Sequence, residues 1–310
     1  MCDLSISIVS MTSSRFLEPC LNSIFEHTNG LNYEILVVAY RYNFSELEQI
    51  RRKYRTITII ESNEIRGFGE NHNLALRQAR GKYCMVLNDD TFFSDNSIKT
   101  LVDVLELKAD AAIVSPIILN YDGSVQLFGR PQFTPVAWLT AFIRATKLQE
   151  AGNVPSSSEP IETWEISGAC FVIRTEVLRM LGFFDEYYFF TPEDIALSTL
   201  ARNRGFKALV TSSARMFHYN SGTGRLLDQV LIPVGIQGVY HFFAQYYGSL
   251  IAILVRCASF ALFLLKYIYW VTKLQGERRS TMLQANLTGL LYAFRRVPPK
   301  ELFKKLNPSA

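Results

Sequence analysis

The chain is poor in the features that would place it among disulfide-bonded, zinc-binding or dinucleotide-binding proteins. Its five cysteines, Cys2, Cys20, Cys84, Cys170 and Cys257, are scattered and form no CxxC pair. That spacing excludes a zinc knuckle and a disulfide framework, and it predicts a reduced, cytosolic setting. The opening Met-Cys-Asp-Leu lacks a basic segment and a small-residue cleavage site, so no signal peptide is expected. A GxGxxG fingerprint starting at Gly67 would need glycine at position 72, where His72 stands. There is no internal repeat. Long uncharged apolar runs are also missing. Between Tyr240 and Val271, Arg256 and Lys266 leave only Cys257–Leu265 uninterrupted, short of the roughly 20 residues that a membrane-spanning helix needs.

What remains is a chain with a large core and an uneven charge. Hydrophobic residues make up 49% of the 310 positions and charged residues 19%, which argues against disorder. Residues 251–310 hold ten Lys/Arg against two acids, a net +8, while the other 250 residues sum to −4. An acidic body makes nucleic-acid binding an improbable main task. A basic, apolar tail points to a second kind of surface.

Short β-branched runs alternate with helical spacing along the first half. Strands are expected at Ser5–Ser10, Tyr33–Ala39, Thr56–Glu61, Tyr83–Leu87 and Ala111–Ser115. Helices are expected at Leu17–His27, Ser45–Tyr54, Asn71–Arg80 and Ile98–Leu107. This alternation predicts an α/β fold with a doubly wound, mostly parallel sheet. In such sheets ligands bind beyond the carboxyl ends of the strands. Further on, Lys147–Thr163 reads as a loop, Ile166–Ile173 as a strand, Pro192–Asn203 as a helix and Phe206–Val210 as a strand. Three segments are expected: 1–120 and 121–235 as two halves of one domain, and 236–310 as a helical tail. At about 100° per residue, Gln245, Arg256, Ser259, Lys266 and Lys273 gather on one side of a helix, opposite Leu, Ile, Phe, Val and Ala. That pattern predicts an amphipathic helix in a membrane interface, with the basic residues at anionic head groups; a core helix packed on the body is the alternative.

Candidate chemistry begins at Asn88-Asp89-Asp90, which ends the fourth expected strand. Adjacent carboxylates repel unless a cation lies beside them, and hard divalent cations bridge carboxylate to phosphate oxygens. Alone, the pair describes a solvated turn equally well. Gly67-Phe68-Gly69 precedes a helix carrying Asn71 and Asn73, and its glycines would let backbone approach a phosphate or sugar. Glu193-Asp194 opens a helix. The acids either satisfy the helix dipole or supply a general base, a role worth about 10²–10⁴-fold in rate. His218 follows a strand and could complete a metal shell. Trp164, Ser167 and Gly168 combine a large ring with small residues, a surface suited to a sugar.

In order and spacing, Ser5–Ser10, Tyr33–Val38, Gly67–Asn73, Leu87–Asp90, Ser167–Ala169, Gly182–Asp185, Glu193-Asp194 and His218 resemble the family 2 glycosyltransferases, and within them the bacterial rhamnosyltransferase-like branch. The resemblance covers roughly residues 5–225. It implies a GT-A fold, inversion at the anomeric carbon, and Mg²⁺ or Mn²⁺ with the donor diphosphate at Asp90 and His218. Asn88, Asp89, Ser10, Gly67, Phe68, Gly69, Asn71 and Asn73 would line the nucleotide-sugar. Asp194, with Glu193, would be the base, and Trp164, Ser167 and Gly168 would meet the acceptor. It also implies dTDP-rhamnose as donor, with a UDP-sugar second. The acceptor would be a glycan, free or linked to polyprenyl diphosphate, in O-antigen, lipopolysaccharide or other polysaccharide synthesis. Through residues 240–310 the chain would then sit peripherally on the cytoplasmic face of the inner membrane. One departure stands out: the usual Asp ending the second strand is replaced by Ala39-Tyr40-Arg41, where Tyr40 could stack on the base and Arg41 could reach a phosphate. Two rival classes remain. A nucleotidyltransferase would need a glycine-rich phosphate loop, which Ser10–Arg15 lacks. A non-catalytic sugar-binding protein would fit the missing Asp.

Overall fold

A computed structural model describes residues 2–144, 154, 159–219, 227–273, 276 and 278–308. Strands β1 (Leu4–Met11), β2 (Tyr33–Tyr40), β3 (Thr58–Ser62) and β4 (Tyr83–Asn88) alternate with helices α1 (Leu17–His27), α2 (Phe44–Lys53) and α3 (Phe68–Leu76). They are followed by β5 (Thr91–Phe92), α4 (Ser97–Leu107), β6 (Ala111–Leu119), β7 (Val125–Leu127) and α5 (Pro135–Arg144). The second half adds β8 (Ile161–Thr163), β9 (Cys170–Arg174), α6 (Thr175–Leu181), α7 (Glu193–Asn203) and β10 (Lys207–His218). The tail consists of α8 (Asp228–Tyr247), α9 (Ser249–Thr272), α10 (Arg279–Tyr292) and α11 (Pro299–Leu306).

The sheet runs β3-β2-β1-β4-β9-β6-β10-β5, with β7 beside β6 and β8 beside β10. The pairs β1/β2, β2/β3, β1/β4 and β6/β10 are parallel, as the alternating pattern predicts. Strand β9 is antiparallel to both β4 and β6, and the short strands β5, β7 and β8 are antiparallel to their partners too. Strand β9 is also shorter than expected. Residues 166–169 form a turn ahead of it, and that turn reaches the site. The short strands β5, β7 and β8 and the helices α5 and α6 carry too little periodic signal to stand out in the sequence.

Strand β1 shows how a buried strand tolerates polar residues. Leu4, Ile6 and Ile8 face a core shared with Leu17, Leu21 and Ile24 of α1 and Ile98, Leu101 and Leu105 of α4. The intervening serines are equally buried, and each has a partner. Ser5 Oγ donates to Glu34 Oε1 at 2.7 Å, Ser7 Oγ meets His72 Nδ1 at 2.8 Å, and Ser10 Oγ donates to Asp89 Oδ2 at 2.6 Å. Buried hydroxyls are tolerated when bonded in this way. The other sheet face packs Phe171, Ile173 and Val86 against α3, α6 and α7.

The tail departs from a single amphipathic helix. Gly248, at φ +89°, separates α8 from α9, so Gln245 does not share a helix with Arg256. Helix α9 has 24 residues and is, by length and composition, long and apolar enough to cross a membrane. Most of the loop expected at 147–163 falls outside the described residues; its last three positions form β8.

Phe171 lies fully buried on β9, with its ring 6.2 Å from that of Phe184. Phe171→Ala should lower folding stability by about 3–5 kcal/mol, read as a fall in the urea midpoint. An unchanged midpoint would contradict β9 as a central core strand.

Candidate active site

The register of β4 against β9 pairs Leu87 with Cys170. The acidic segment that follows β4 therefore lies beside the turn that precedes β9. Asn88 N donates to Ala169 O at 3.0 Å, and Gly168 N donates to Asp194 Oδ2 at 2.9 Å. Two successive residues of one turn thus tie the acidic segment to the start of α7, joining two of the expected site groups.

Strand β10 brings in the third. Its end pairs with β5, setting His218 opposite Thr91, and Tyr219 N donates to Asp90 O at 2.9 Å. His218 Nε2 lies 3.1 Å from Asp90 Oδ1. On the other edge of the ring, Nδ1 lies 2.8 Å from Gln126 Oε1. An amide oxygen can only accept, so Nδ1 carries a proton, and Nε2 faces the Asp90 carboxylate either as a donor in the charged ring or as a lone pair in the neutral one. In the neutral form the two atoms could share a cation, with Gln126 supplying the orienting contact that metal-bound histidines commonly have. Among the described residues no group of three or more His, Cys, Asp or Glu could hold a metal. A two-ligand pair suits Mg²⁺ or Mn²⁺, which take further ligands from phosphate and water.

Asp89 faces the other way. Its Oδ2 accepts from Ser10 Oγ, which also meets Tyr42 OH at 2.5 Å. Burial raises its pKa to about 6, opposed by the Ser10 hydrogen bond and reinforced by the neighbouring Asp90 charge. Ser10 and Asp89 therefore form an internal brace under Asp90.

At α7, Asp194 Oδ2 also accepts from Arg130 Nη1 at 3.0 Å, and Oδ1 accepts from Ile195 N at 2.8 Å. These contacts use three of the carboxylate's roughly four acceptor sites. Arg130 escaped the sequence reading because an arginine after an ill-defined stretch has no local signature. Two further acids surround this pair. Burial, with the Asp194 charge second, raises Glu193 to about 8. Burial likewise raises Glu165 to about 8, against the hydrogen bond from Phe133 N.

The remaining candidates make contacts within the fold. A Cβ on Gly67 would lie 2.5 Å from Phe189 O, and one on Gly69 would lie 2.7 Å from Phe184 Cβ. At both glycines the backbone approaches the segment before α7 closely. Asn73 is fully buried, donates to Phe184 O and Glu186 Oε1 at 2.9 Å each, and accepts from Phe184 N. Asn71 is also buried and donates to Arg66 O. Both asparagines lock α3 to its surroundings. Phe68 packs 4.5 Å from the His72 ring. Tyr40 is 8% exposed, which leaves little ring face for a nucleobase, and the Arg41 guanidinium lies 5.4 Å from that ring. Trp164 is half-exposed, but one face is covered by the Arg202 guanidinium at 4.3 Å. Ser167 turns inward and accepts from Ala169 N.

An open, mixed sheet with an acidic segment and a histidine at the carboxyl ends of its parallel strands is the architecture of GT-A glycosyltransferases. Two solved structures share the fold. The mannosyltransferase PcManGT from Pyrobaculum calidifontis, in complex with GDP-Man and Mn²⁺, matches with TM-score 0.57 at 15% identity, over 94% of this chain and 87% of that one. GalNAc-T7 with UDP, GalNAc and Mn²⁺ matches with TM-score 0.55 at 17% identity, over 70% and 44%. The family model for glycosyl transferase family 2 matches residues 5–182, more than half of the sequence, and the chain belongs to that family. It is 28% identical over 159 residues to the N-acetylglucosaminyl-diphospho-decaprenol L-rhamnosyltransferase of Mycobacterium tuberculosis, covering 46% of this chain and 49% of the relative. It is 24% identical over 217 residues to the O-antigen biosynthesis protein RfbC of Myxococcus xanthus, covering 67% and 16%. The matched region thus spans about half or less of these relatives' length.

The buried carboxyls give the fold a defined pH response. Glu165 and Glu193 both rise from an ordinary 4.5 to about 8, so the folded chain holds more protons than the unfolded chain between those values. Stability is then greatest below about 4.5 from this source and falls as pH rises towards about 8. Replacing both residues with Gln should flatten the decline of the melting midpoint across that window. An equally steep decline in the double variant would refute the assignment.

Proposed function

We propose that this chain transfers a sugar from a nucleoside-diphosphate donor to a glycan hydroxyl, with inversion at the anomeric carbon. The observation that carries the reading is the turn at 167–169. It holds the start of the acidic segment through Ala169 and Asp194 through Gly168, so a diphosphate-binding pair and a base flank one strand end.

Asp90 and His218 would hold a divalent cation. When bound, that ion neutralises the charge developing on the leaving diphosphate. Asp194, oriented by Arg130 and the Gly168 amide, accepts the proton of the attacking hydroxyl at its remaining acceptor site. The hydroxyl oxygen attacks the anomeric carbon opposite the leaving diphosphate, and a single displacement of this kind inverts the centre.

The mycobacterial relative's name, an L-rhamnosyltransferase for an N-acetylglucosaminyl-diphospho-decaprenol, supports rhamnose as the sugar and a polyprenyl-diphosphate-linked glycan as acceptor. The name of the Myxococcus protein supports a role in O-antigen or related polysaccharide synthesis. Such an acceptor places the chain at a membrane, on the cytoplasmic face and peripherally, with its apolar, basic tail as the attachment.

Asp194→Asn should abolish transfer, by about 10²-fold or more, while nucleotide still binds in a thermal-shift assay. Retained turnover would remove Asp194 as the base. Asp90→Ala should erase the Mn²⁺-dependent part of nucleotide affinity, measured by calorimetry with and without the metal. Equal affinities in wild type and variant would contradict the cation pair.

A further inference from the structure

Helix α9 is inverted relative to a helix on a water-facing surface. Its two charged residues, Arg256 and Lys266, turn towards the protein. Arg256 Nη1 donates to Ala293 O at 2.7 Å with its guanidinium 4.2 Å from the Tyr240 ring centre, and Lys266 Nζ donates to Phe142 O at 2.5 Å, 3.9 Å from the Phe142 ring. Burial lowers the pKa of both. Ser259, on the same side, is fully buried and bonded to Val255 O. The opposite face carries no charge at all. Leu254 is 56% exposed, Leu265 63% and Ile268 50%. Helix α10 and the residues just after it continue this surface: Leu291 of α10 is more than half exposed, and Phe294, two residues past its end, lies 5.6 Å from Phe260. A soluble surface scatters such residues singly, whereas a contiguous apolar face marks an interface.

The sequence pattern expected the polar stripe to face head groups. The structure assigns the reverse arrangement, and we propose that the outward face of α9 and α10 is immersed in an anionic phospholipid bilayer, with α9 lying in the membrane plane. Three observations select this occupant and orientation. The inward residues Ala252, Val255, Ser259 and Phe263, with Lys266 bonded to Phe142 O, hold α9 against the body from Ala252 to Lys266, which suits a helix lying along the membrane surface. Gly289 of α10 lets the helices approach so closely that a Cβ there would lie 2.4 Å from the Phe263 ring. The exposed cations Arg295 and Arg296 follow Phe294 in the chain, Lys304 and Lys305 are exposed on α11, and this positive charge complements anionic head groups. The assignment deepens the membrane location proposed above and rests on it for its biological sense. Vesicle binding is read without turnover, so either can fail alone.

The test uses the full chain with vesicles of phosphatidylcholine, with and without phosphatidylglycerol. The double variant Leu254→Glu/Leu265→Glu should lower co-flotation with mixed vesicles by about tenfold or more, with the thermal midpoint retained. Leu107→Glu, on the exposed end of α4, should float as wild type. Cys257 is exposed on α9, so an environment-sensitive fluorophore attached there should shift to the blue on adding vesicles. Undiminished flotation of the double variant, or an unshifted fluorophore, would overturn the proposal. So would a wild-type dimer that the double variant disrupts without any vesicle binding, which would assign the face to a second copy.

Discussion

The antiparallel insertion of β9 between β4 and β6 is the constraint on which the site depends. Side chains alternate along a strand, so a slip of one residue would exchange the two faces of β9. Phe171 and Ile173 would then leave the core they share with α3, α6 and α7. The turn at 167–169 would also lose its fixed place, because Asn88 N bonds Ala169 O only while Leu87 faces Cys170. Core packing on one side of the strand thereby sets the positions of Asn88 and Asp194 on the other. The site inherits its precision from burial and needs no dedicated loop of its own.

The parts of this arrangement that could be read from sequence are those with a strong local period. Leu17–His27 shows helical spacing and forms α1 with the expected bounds, and Ile35–Tyr40 is a continuous apolar run within β2. Asp90, Asp194 and His218 were legible because a carboxylate or imidazole at an element's end has chemical meaning even without a partner in view. Arg130, Gln126 and Glu165 were not legible, since each acts through a residue distant in sequence: 64 positions for Arg130 to Asp194 and 92 for Gln126 to His218. Spacing rules describe neighbours on one element, and these contacts join different ones.

The contacts of the glycines and asparagines before α3 were illegible for a related reason. A glycine in a loop signals only that something approaches closely. Here it is Phe189 and Phe184, from the stretch between α6 and α7. Asn73 continues the same seam through Phe184 and Glu186. The motif that resembles a ligand cradle also clasps α3 to the segment that leads into α7, the helix that carries Asp194.

The tail carries this distinction between pattern and direction furthest. Periodicity identified Arg256, Ser259 and Lys266 as one stripe, correctly, but a period has no sign: it cannot say which side faces the body. Burying two cations is costly unless they find partners. The carbonyls of Ala293 and Phe142 and the rings of Tyr240 and Phe142 provide them. If water covered the outer face, exchanging the two sides of the helix would remove both burdens, the exposed leucines and the buried charges. That the fold keeps both is intelligible where the outer medium is hydrocarbon, because there the carbonyl-capped cations are better placed inside.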